Sequence, residues 1–167
     1  MAFICAVDED ADQVEITVSI SDEDAYARIC LGHDDLTGAI YSVLVDMPRY
    51  LPEPNGRDVH FTITEVVFED GEQLEYAHRD GLETRFLDKK ARRVALSCII
   101  TAIAQLASEL NPDTIVMTTI TPHLPPKALG KYWAVCKAMN EMGYVARRDS
   151  PFHGTQIWIM NRITDET

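Results

Sequence analysis

Four cations fall within five residues, Lys89-Lys90-Ala91-Arg92-Arg93, and the chain then runs through Val94-Ala95-Leu96-Ser97 into an apolar-periodic stretch. A cationic turn feeding a helix N-terminus is a place to hold phosphates, because the first backbone N–H groups lack intrahelical partners and the helix dipole favours anions there. Two acids stand where a general base would be wanted: Glu83, just ahead of the basic turn, and Glu65, inside the clearest early strand pattern. Either needs a desolvated position to accept a proton near neutral pH. His123 follows an apolar strand pattern and sits between prolines, and His153 lies in a turn. Loop histidines of that kind are more often structural than proton carriers. Cys98 and Cys136 occupy apolar helical faces, where packing outweighs nucleophilic chemistry. The four cysteines include no C-x-x-C pair, so no metal site is expected, and no G-x-S-x-G, H-E-x-x-H or P-loop pattern occurs.

The elements that must position these groups are clearest after residue 90. Leu96, Ile99, Ile100, Ile103, Leu106, Ala107 and Leu110 recur at helical spacing, and Asn111-Pro112-Asp113 stops that helix. Thr114 to Ile120 is short, β-branched and apolar, as expected of a central strand. A second helix is expected from about Lys127 to Met142, with Gly143 as its cap. Tyr144–Arg148 and Thr155–Ile163 then read as two strands. Upstream, Val14 to Ile20 alternates as a half-buried strand, and Asp34 or Asp35 is placed to cap a helix over Leu36–Val45. Prolines 48, 52 and 54 make a break, residues 58–69 form the strongest early strand, and Asp70-Gly71 ends it as a hairpin-type turn. The expectation is one α/β domain over residues 1–167, with a variable acidic half to about residue 79 and a cofactor-type half over 80–163.

Composition sets the class. A chain of 167 residues, 46% hydrophobic and 25% charged, suits one soluble domain with a sizeable core. No unbroken apolar run nears the roughly 18 residues of a bilayer span, and the N-terminus turns acidic at once, so neither a membrane partner nor a secretory signal is expected. Widely spaced thiols fit a cytoplasmic setting. The net charge of −12 is unevenly spread: residues 1–80 hold 19 of the 27 acids and 4 of the 15 basic residues, leaving the rest of the chain slightly positive. Overall acidity argues against nucleic acid as a partner. The acidic half reads either as a solvated face or as a surface that attracts a cationic substrate.

The order basic turn, helix, strand, helix, strand, strand resembles the C-terminal half of the GNAT superfamily of acyl-CoA-dependent N-acetyltransferases. In that family a Q/R-x-x-G-x-G/A turn binds the cofactor pyrophosphate. Arg92-x-x-Ala95-x-Ser97 falls at that turn, Phe86-Leu87-Asp88 at the end of the preceding strand, and Ala138-Met139-Asn140-Glu141-Met142-Gly143-Tyr144 resembles the family's F-Y-E-x-L-G-F helix ending. The resemblance covers about residues 80–163. It implies a mixed central sheet with flanking helices and acetyl-CoA or another acyl-CoA as cosubstrate. The acceptor would be a cationic amine or a protein. Arg92 and Arg93 would neutralise the phosphates, the N–H groups of Val94, Ala95, Leu96 and Ser97 would complete the cradle, and Glu83 or Glu65 would be the base. The chain departs from the pattern where Ala95 and Ser97 replace glycines, and where Met139 stands at the position of a tyrosine general acid, with Tyr132 about two turns earlier. Two other readings stay open: a catalytically decayed module of the same fold that binds a basic protein partner, and an unrelated fold built on one long helix from Thr84 to Leu110.

Overall fold

Alternating burial shapes much of the chain into strands. The computed structural model describes residues 2–78 and 84–165; Glu83 lies outside the described residues. In order they form β1 (Phe3–Cys5), β2 (Thr17–Ile20), β3 (Ala25–Asp34), β4 (Ile40–Asp46), β5 (Gly56–Glu69), β6 (Glu72–His78), α1 (Lys89–Leu110), β7 (Thr114–Thr118), a 3-10 turn (Pro126–Leu129), α2 (Gly130–Glu141), β8 (Tyr144–Phe152) and β9 (Thr155–Arg162). The nine strands make one open, mostly antiparallel sheet in the order β1-β3-β4-β5-β7-β9-β8, with β2 also on β3 and β6 also on β5. The parallel contact is between β5 and β7.

The helix expected over Leu36–Val45 is instead a turn and the strand β4. The capping chemistry of Asp34 is present but serves a hairpin: its Oδ1 accepts from the N–H groups of Leu36 and Thr37 at 2.8 and 3.2 Å. Gly38 at φ +74° then returns the chain, and Asp34 N–H donates to the Ala39 carbonyl. An aspartate that satisfies two following N–H groups looks alike in sequence at a helix start and at a tight turn. The β-branched run of β4 decides for the strand. Between β5 and β6 the two-residue turn does occur, with Asp70 and Gly71 at φ +50° and +81° and Glu69 opposite Glu72.

The covered face of the sheet carries Ala27 and Ile29 of β3, Val43 and Val45 of β4, Val59 and Ile63 of β5, Ile115 and Met117 of β7, and Trp158 and Met160 of β9, all buried. Both helices lie on this face. α1 packs on β3 and β4, α2 packs beside α1, and Tyr132 of α2 meets Phe61 of β5 and stacks on Trp158. The chain is thus mixed α/β as expected, in two layers with both described helices on one side of the sheet. The other face, bearing Arg28, His60, Thr62 and Glu75, is polar and open. One hydrophobic cluster runs through both halves of the chain, and each fully buried Leu or Ile in it contributes about 1.5–3 kcal/mol.

α1 begins at Lys89 and not at Thr84. Asp88 caps it, accepting from Ala91 N–H at 2.7 Å through Oδ1 and from Arg92 N–H through its carbonyl. Asn111, in the left-handed conformation with Pro112 behind it, ends it. Its buried stripe runs from Ala91 through Val94, Ala95, Cys98, Ile99 and Ala102 to Leu106. Over an 18-residue window α1 reaches a mean hydropathy of 1.4, long and apolar enough by length and composition to cross a bilayer. Here that apolar stripe is the core-facing side of the helix.

Candidate functional site

One edge of β5 takes two different partners along its length. On the edge of β5 away from β4, β7 pairs with Gly56–Val59 and β6 pairs with Ile63–Glu69. The two strands run toward each other, and their described ends, Thr118 and His78, lie on either side of residues 60–62. At about 3.3 Å per residue, the partners of Val59 and Ile63 stand about 13 Å apart along β5. Alternate residues of a strand turn their N–H and C=O to opposite edges. Asp58 N–H donates toward β4, to the Pro48 carbonyl, so Phe61 turns its backbone pair to the other edge of β5.

On the helix side of β5 lies a cavity of about 640 Å³, within the usual range for small-ligand sites. Its floor is apolar, with Phe61, Ile63, Leu96, Ile99, Leu124 and Tyr132. Its charged groups are all positive: Arg92 from α1, Lys127 from the 3-10 turn and Lys131 from α2, with no carboxylate among the described residues that line it. In a chain of net charge −12, these described lining residues form a locally positive surface. Arg92 is steadied by its Nε, which donates to the Leu87 carbonyl at 3.1 Å. Lys131 Nζ lies 5.8 Å from the Phe61 ring centre and 5.3 Å from that of Tyr132. The first turn of α1 holds cations and no acid, and the Asp88 cap supplies the negative charge at that helix end.

His78 borders the same cavity. Its Nε2 lies 2.6 Å from Glu65 Oε2, and Tyr41 Oη donates to Glu65 Oε1 at 3.1 Å. Histidine and carboxylate are both four-fifths covered. This is the geometry of a proton carrier held by an orienting acid.

The structure separates the residues expected to act together. Arg92, Ala95 and Leu96 face the cavity, whereas Arg93, Val94 and Ser97 border a smaller, 370 Å³ cleft on the other side of α1, beside Asp8, Glu9 and Asp12. Arg93 there pairs with Glu9 at 3.0 Å. The N–H groups of Val94 to Ser97 lie inside α1 and bond to carbonyls four residues earlier. Of the two acids, Glu65 reaches the cavity through His78. His123 packs its ring on Gly154 and donates its N–H to the Gly154 carbonyl, a structural role. Burial pushes the thiols of Cys98 and Cys136 up to about 11, which keeps them as packing groups. Residue-by-residue reading missed His78, Lys127 and Lys131, although the Asp70-Gly71 turn carried a signal. A two-residue turn there sets Glu65 opposite Tyr76 and places His78 next along the same face. Burial also raises the Tyr132 phenol, which therefore stays protonated at the cavity wall. No family model, curated protein or solved structure matches the chain.

Proposed function

We propose that the chain is an acyl-CoA-binding, N-acyltransferase-like protein whose cosubstrate occupies the cavity between the sheet and the helices. The observation that carries this reading is a cavity whose described lining residues include three cations and no carboxylate, over an apolar floor, in an otherwise acidic protein. Arg92, Lys127 and Lys131 suit phosphate oxygens, and the N–H and C=O of Phe61 suit the amide of an extended arm. The apolar floor suits the acyl end.

The chemistry assigned to this chain's residues is proton handling and positioning. A cationic amine first loses one proton to solvent. As its nitrogen bonds to the thioester carbon and the carbon–sulfur bond breaks, His78 takes the second proton from nitrogen and gives it to the departing thiolate. Glu65 orients His78 and balances the charge it gains. No covalent enzyme intermediate is required.

A second reading keeps the fold and the cavity without catalysis: a regulatory module that binds a basic protein partner through its acidic half. It is favoured by the α1 N–H groups being taken up within the helix and by its Asp88 cap. One experiment separates the two. Acetyl-CoA is titrated calorimetrically while tryptophan emission is followed, because Tyr132 at the cavity wall stacks on Trp158 with centroids 4.9 Å apart and planes within 4°. Micromolar binding with an emission change, followed by thiol release when amines are added, is the expected result. Absence of heat and of emission change at millimolar ligand overturns the acyl-CoA reading, and binding without thiol release for any amine favours the module.

A further inference from the structure

Three adjacent strands bring three polar side chains into one line on the covered face. Tyr41 of β4 is directly opposite Glu65 of β5, and His78 of β6 is opposite Ile63, two residues from Glu65 on the same face. Tyr41 is fully buried. Its ring is fixed on three sides, with centroids 5.7 Å from Phe3, 4.5 Å from Phe86 and 6.4 Å from His78. The hydroxyl reaches Glu65 Oε1 at 3.1 Å, while the other carboxylate oxygen, Oε2, lies 2.6 Å from His78 Nε2.

We propose that Tyr41 is a positioning residue for His78: by donating to Glu65 Oε1 it fixes the carboxylate plane, and the carboxylate in turn holds the neutral imidazole with its proton on Nε2 and Nδ1 as the acceptor. The role of that tautomer in proton transfer rests on the cavity being the reacting site; the relay itself stands on the geometry of the three side chains.

The physical reasoning runs through the carboxylate. A Glu side chain turns about its last torsion through a broad two-fold range, so one bond to His78 leaves its plane free. A second bond, from a phenol that cannot swing, removes that freedom. An ionised carboxylate only accepts, so the nitrogen facing it must be the one that bears hydrogen. Tyr41 can serve throughout the working pH range, since burial first and Glu65 second hold its phenol far above the ordinary value. It stays a donor and never becomes a competing anion.

The test uses the full chain with 15N-labelled histidine at about pH 9, well above the ordinary histidine range. Wild type is expected to show His78 with its proton on Nε2. Tyr41→Phe keeps the ring and its packing, and a thermal melt confirms folding. It is expected to raise the fraction with the proton on Nδ1 at least threefold. A purely structural tyrosine would leave the ratio unchanged, which overturns the proposal, as does a wild-type proton on Nδ1. Should Tyr41→Phe not fold, the Tyr41 Cζ resonance in Glu65→Gln against wild type reads the same bond. A shift is expected, and none overturns the proposal. Coupled tautomers in a protein that binds no acyl-CoA would preserve this relay and remove the proposed function, whereas binding with an uncoupled tautomer would remove only Tyr41.

Discussion

Neutralising Arg92 and Arg93 one at a time distinguishes the cavity from the basic cluster as the source of anion binding. Neighbours in sequence, they point about 100° apart around a helix. Arg92 borders the 640 Å³ cavity and is braced on the Leu87 carbonyl, whereas Arg93 is paired with Glu9 on the other side of α1. A hydrogen bond to a charged group contributes about 1.5–3 kcal/mol. Because Arg92 is exposed, salt screening puts the value at the lower end. Arg92→Gln should then weaken acetyl-CoA binding about tenfold. Arg93→Gln gives up an exposed ion pair, about 0–1 kcal/mol of stability, and partly regains it by lightening the positive end of α1. Its affinity should match wild type, with a melting shift within about 2 °C. Calorimetric titrations of the three proteins at low and moderate salt provide the measurement, and the salt dependence should be shallower for Arg92→Gln alone. Equal losses from the two variants would mean that the cluster acts as a diffuse charge and would refute the assignment to the cavity.

Two further outcomes concern stability. The Asp46 carboxyl is held above its ordinary value of 3.8 by burial first and by Asp24 second, with His60 and Arg28 opposing. A raised carboxyl means the folded state keeps the proton longer, so stability falls as pH rises through the interval between the unfolded and folded values. Asp46→Asn should therefore melt above wild type at pH 7 and converge with it below about pH 4, and a lower melting point at pH 7 would contradict this sign. At Gly32 an added Cβ would stand 2.1 Å from the Ile4 carbonyl oxygen and 2.8 Å from the Phe3 ring. Gly32→Ala should cost about 1–3 kcal/mol and speed amide exchange over Phe3–Cys5, and unchanged exchange would show that β1 adapts freely.

Local chemistry was legible wherever one segment carries its own signal. The apolar repeat from Leu96 to Leu110 and its Asn111-Pro112 stop mark α1 because helix period and termination are both local properties. The same holds for β7 and for the Asp70-Gly71 turn. Glu65 was legible as a polar group in a strong strand, but its partner was not, because the residue that meets it depends on hairpin register. Asp34 shows the opposite failure. Its side chain caps two N–H groups as expected, yet the segment it caps becomes a strand once β3 and β5 pair on either side of β4.

The sequence by itself determined the element types after about residue 96, the uneven charge, and the presence of a basic cluster at the start of a helix; the strand end expected at Phe86-Leu87-Asp88 is a turn, and the basic turn is the first part of α1. Only the tertiary structure decided which of those cations share a cavity. Helix phase sends Arg92 and Arg93 to different sides of α1, and the fold brings Lys127 and Lys131 in from 35 and 39 residues further along the chain to join Arg92. It also decided which strands share one edge of β5, since β6 reaches it through a two-residue turn and β7 only after the whole of α1. Charge and periodicity belong to single segments, whereas a site is set by the distances between segments. Those distances come from packing one apolar face of nine strands under two helices.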